Sequence, residues 1–209
     1  LRPMFGHSRF HPGGKMTRCG RALAAGACLA LSLCLAAPVV AMQPGGPSNY
    51  IIDNETVHAA RTGNDEALKA ALIKGVSPND SGRDRIPMLV LAAGNGHLST
   101  VKLLLEYGAD PNRRAPDGST PLSVVSILGR ADIADVLLTA GADPNRSGAN
   151  RDLPLLIATR ARHVALVETL IRHGVDVHET DMTGRSALDL AEENHFREIA
   201  DMLRAAGTY

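Results

Sequence analysis

A glycine returns every 33 residues along most of this 209-residue chain, at Gly75, Gly108, Gly141, Gly174 and Gly207. Behind the first four follow Val76-Ser77-Pro78-Asn79, Ala109-Asp110-Pro111-Asn112, Ala142-Asp143-Pro144-Asn145 and Val175-Asp176-Val177-His178. The same frame holds Met88-Leu89, Pro121-Leu122, Pro154-Leu155 and Ala187-Leu188, and also Ala59, Ala92, Val125, Ala158 and Ala191. Chance does not keep several positions in register over five periods, so the fold is a stack of copies of one supersecondary unit.

The unit can be read from its residues. An apolar run such as Leu89-Val90-Leu91-Ala92-Ala93 predicts a short helix that Gly96 interrupts. Leu98, Val101, Leu104 and Leu105, spaced three and four apart, predict a second helix with one apolar stripe. A glycine of the Gly108 type stands where that second helix needs a left-handed cap, a conformation free of steric cost for glycine. The Asp-Pro-Asn pieces and Asp117-Gly118 form turns, and Pro121 and Pro154 stand at helix starts, where a missing N–H does no harm. One helix pair cannot bury its own stripe, so the copies stack, and the end copies need polar outer faces. His58, in the frame of Leu91, Val124, Ile157 and Leu190, and Arg204, in the frame of Leu72, Leu105, Leu138 and Ile171, supply them.

Ser119-Thr120-Pro121-Leu122, the block Leu91-Ala92-Ala93-Gly94-Asn95-Gly96-His97 and the stretch from Val101 to Asp110 resemble the ankyrin repeat. The resemblance implies an all-α ankyrin-repeat solenoid of five helix pairs joined by hairpin-like turns, with repeats at 50–75, 76–108, 109–141, 142–174 and 175–209. It also implies an interaction scaffold that binds another protein. The chain departs from the family pattern at Val125-Ser126, where two alanines are preferred, and at Arg162-His163, where Gly-His is usual.

All 22 acidic residues follow position 41, whereas Arg2, Arg9, Lys15, Arg18 and Arg21 precede it, so residues 42–209 carry 17 basic and 22 acidic groups and a net charge of minus five. That balance excludes a strongly basic nucleic-acid-binding body. Cys19, Cys28 and Cys34 also lie early, which leaves the repeats without a disulfide, a thiolate nucleophile or a cysteine-ligated zinc. Behind a leader of undetermined role at 1–15, a start at Met16 gives a signal peptide over 16–41. It has Arg18 and Arg21, an uncharged run from Ala22 to Val40, and Val39-Val40-Ala41 with small residues at the cleavage positions. Residues 42–49 read as a linker. Cleavage makes the product periplasmic or secreted in a bacterial-type cell, and retention of the run anchors the same scaffold in a membrane.

No catalytic constellation emerges. His58, His97, His163, His173, His178 and His195 form no i, i+4 pair around a glutamate, and no phosphate-cradling loop or Gly-x-Ser-x-Gly elbow occurs. His97 reads as a local hydrogen-bonding residue, His173 and His178 as capping or cationic groups, and Glu192-Glu193 point apart on a helix. The expectation is a monomeric non-enzyme with no cofactor, metal or small-molecule substrate, acting on a protein partner as scaffold, inhibitor, accessory factor or immunity protein against a secreted toxin.

Arg83, Arg85, Arg113, Arg114, Arg146, Arg151 and Arg185 gather in the turns, where guanidinium forks can grip a partner's carboxylates. Asp80, Asp84, Asp117, Asp152, Glu179 and Asp181 share those turns, and ordinary solvated charge balance is the competing explanation. In the middle repeat, Ile127-Leu128 replaces Arg61-Thr62, Gly94-Asn95, Arg160-Ala161 and Glu193-Asn194. Two readings stand: a local repacking with Val125-Ser126, or the apolar centre of a binding groove with Arg160 and finger arginines such as Arg114 around it, Arg61 also being a candidate partner-binding residue. Export predicts that protein isolated from cells begins at Met42 and is soluble. An intact mass that retains residues 16–41, in the membrane fraction, contradicts it.

Overall fold

The computed structural model describes residues 55–207. The leader, the signal segment, the linker and the first residues of the first repeat lie outside the described residues.

Ten α-helices follow in order: α1 (Glu55–Thr62), α2 (Asp65–Ile73), α3 (Met88–Gly94), α4 (Leu98–Glu106), α5 (Pro121–Leu128), α6 (Ala131–Thr139), α7 (Pro154–Arg160), α8 (Val164–Arg172), α9 (Ala187–Glu193) and α10 (Arg197–Ala206). Each odd helix packs on the even helix after it. The odd helices also lie side by side in one layer, α1 on α3 through to α9, and the even helices in a second. Between pairs run four fingers, at 76–87, 109–120, 142–153 and 175–186. No strand forms among the described residues. Antiparallel bridges at Ser81–Pro87 and Thr180–Ser186 close the first and fourth fingers.

The core follows the 33-residue frame. Leu68, Val101, Ala134, Val167 and Ala200 are buried, as are Leu104, Leu137, Leu170 and Leu203. Small buried side chains at Ala59, Ala92, Ala158 and Ala191 let the odd helices approach one another closely. Pro121 and Pro154 open α5 and α7, and α5 also carries a capping box between Thr120 and Ser123.

Two polar ladders join the repeats. In the fingers, the Asn112 amide donates to Gly141 O at 2.9 Å and accepts from Asp143 N at 2.9 Å. Asn79 does the same with Gly108 O and Asp110 N, and Asn145 accepts from Asp176 N. At the opposite ends of the odd helices, His97 Nε2 lies 3.1 Å from Arg61 O, Arg130 donates to Gly96 O at 3.2 Å and His163 Nε2 lies 3.2 Å from Ile127 O. The bond expected within the repeat at His97 therefore reaches back 36 residues, into the repeat before it. His173 likewise pairs with Asp135 on α6, at 2.9 Å.

Gly75, Gly108, Gly141 and Gly174 are left-handed, with φ between 76° and 91°. Gly207 departs from the expected left-handed cap, with φ −86° after a helix that runs on to Ala206. The usual Gly of the Gly-His pair is Arg162 in the fourth repeat. Its φ is 57°, and the Phe196 ring lies 5.4 Å from its guanidinium carbon.

These contacts rank substitutions. Leu104 is fully buried, and Leu104→Ala should destabilise by on the order of 2 to 4 kcal/mol through the cavity it leaves. Arg204→Ala, on the exposed end face, should change far less. Gly108→Ala meets open space and should cost about 1 kcal/mol for the left-handed backbone. Gly129→Ala should cost more, since its Cβ would lie 2.5 Å from the His163 ring. Urea melts that rank Arg204→Ala beside Leu104→Ala, or the two glycines together, contradict this packing.

Candidate functional site

The helical period divides α5 into two faces. Leu122, Val125 and Ser126 are buried, and the Ser126 hydroxyl donates to Leu122 O at 2.8 Å, so a polar group in place of alanine is satisfied there. Val124, Ile127 and Leu128, at i, i+3 and i+4, share the other face. Val124 is half-buried against Gly94, where an added Cβ would lie 3.3 Å from it. Ile127 and Leu128 are 60% and 47% exposed. The repacking is thus confined to Val125 and Ser126, while the next two side chains face solvent. The His163 ring at Ile127 O, seated over Gly129, holds the end of α5 in place.

Beside Ile127 lies a depression of about 370 Å³ between α5, α7 and the third finger, lined by Ser123, Ile127, Asn150, Ile157, Arg160 and Ala161 among others. It is open to solvent and at the small end for a ligand cavity. Its finger wall is strained. Residues 85, 118, 151 and 184 occupy one frame position, and all are left-handed: Arg85 at 58°, Gly118 at 87°, Arg151 at 61° and Gly184 at 79°. Asn150, next to Arg151, is left-handed as well, at 57°. An arginine in that conformation costs roughly 1–2 kcal/mol that glycine avoids, and such strain concentrates where a surface serves binding.

Not every candidate arginine is available. Arg160 is held by Asp152 at 2.9 Å and Asp181 at 3.0 Å, and Arg185 by Asp181 at 3.1 Å and Glu193 at 3.3 Å. These two are members of an internal network, not spare cations. Arg114 folds back onto Gly118 O at 3.0 Å, and Arg146 is half-buried with its Nε enclosed and unpartnered. Arg61 is half-buried in the first repeat. Arg83, Arg85, Arg113 and Arg151 are exposed. The fold thus brings Ile127, Arg160 and the finger carrying Arg151 together, and leaves Arg61 and Arg185 in the terminal repeats.

Asp181, the hub of the network, has a side chain only 6% exposed. The Thr183 hydroxyl first, then the Arg185 and Thr183 N–H groups and the Arg160 guanidinium, hold its carboxyl well below the usual carboxylate range.

A family model for three ankyrin repeats matches residues 57–148, and a model for a single ankyrin repeat matches 150–182. The chain belongs to the ankyrin repeat family. No curated protein matches it. Ankyrin repeats generally mediate protein–protein interaction, and ankyrin-repeat proteins are typically non-catalytic binding scaffolds. In this ankyrin stack the rings of His97, His163 and His173 are engaged between repeats. Glu192 and Glu193 pair with different arginines, Arg204 and Arg185. Among the described residues no three potential metal ligands converge, and no helix is long and apolar enough to cross a membrane.

The depressed carboxyl of Asp181 makes part of the stability of this ankyrin domain pH-dependent. A lowered folded-state value contributes stability that is complete above the ordinary carboxylate value of 3.8 and is lost as pH falls below it. Asp181→Asn should therefore lower the urea midpoint at about pH 7, and its deficit should shrink below about pH 4. A deficit equal at both values contradicts the network.

Proposed function

We propose that the protein is an exported, non-catalytic scaffold that captures another protein on the face formed by its odd helices and fingers, with Ile127 and Leu128 at the apolar centre. The observation that carries this reading is the exposure of two adjacent large aliphatic side chains on the central inner helix. There they gain little for folding, and they match the apolar centre of an interface. Export is supported by Arg18 and Arg21 ahead of the uncharged run from Ala22 to Val40 and by Val39-Val40-Ala41 behind it. The length of that run also supports a second reading, the same scaffold held at a membrane by an uncut leader.

A double substitution separates binding from folding. Ile127→Asp with Leu128→Asp should abolish capture of the partner from a periplasmic extract while helical content and melting midpoint stay nearly unchanged, because a desolvated interface centre does not tolerate unpaired carboxylates. Capture that survives the double substitution removes these residues from the interface. Loss of the fold instead assigns them to the core.

A further inference from the structure

We draw no further inference here: the strongest candidate, the exposed apolar face of α5 at Ile127 and Leu128 with the depression beside it between α5, α7 and the third finger, belongs to the site already described, and nothing in the structure shows what covers it.

Discussion

A repeat of 33 residues has two helices and two ends, and the carbonyls at those ends must find donors. In this chain the donors come from the next or the previous copy. The asparagine that follows the finger proline bonds the backbone one repeat on, at Gly108 and Asp110 from Asn79 and at Gly141 and Asp143 from Asn112. His97, Arg130 and His163 satisfy carbonyls one repeat back. Hydrophobic burial drives the stacking, but these bonds set its pitch, because an apolar stripe alone tolerates sliding and a paired amide does not. The positions of fingers and groove follow from that pitch.

The 33-residue spacing was enough to read the architecture, since core positions such as Leu104, Leu137, Leu170 and Leu203 repeat with it. The break at Ile127-Leu128 was legible for the same reason, as a departure from a frame that the other copies define. The asparagine ladder was half legible: Asn79, Asn112 and Asn145 recur visibly, but a turn-forming asparagine and one that bridges repeats look alike in sequence. Left-handed arginines had a signal too, because Arg85 and Arg151 share a column with Gly118 and Gly184. The network around Asp181 had none. Its frame partners are Gly82, Ala115 and Gly148, and Arg160 lies 21 residues away, so nothing short of the folded geometry couples them.

That network divides the odd-helix face into unlike halves. Around α7 and α9 the charges pair with one another in one connected network. Around α5 two large aliphatic side chains, Ile127 and Leu128, stand exposed instead. A face uniform in architecture is therefore uneven in what it has left to offer, and the unsatisfied half lies in the middle of the stack.

The pairing of Arg162 with Phe196 shows how far the copies have ceased to be interchangeable. Where the first three pairs set His or Arg over a glycine, this one sets an aromatic ring against an arginine held left-handed. Each partner is a poor choice without the other, and they sit on opposite sides of a repeat boundary. Duplication, deletion or shuffling of a unit at that boundary breaks the pair, even though the two units share one 33-residue frame. The array is periodic in its chain path but ordered in its side chains, so its repeats have an assigned sequence of places and its growth by simple copying is closed.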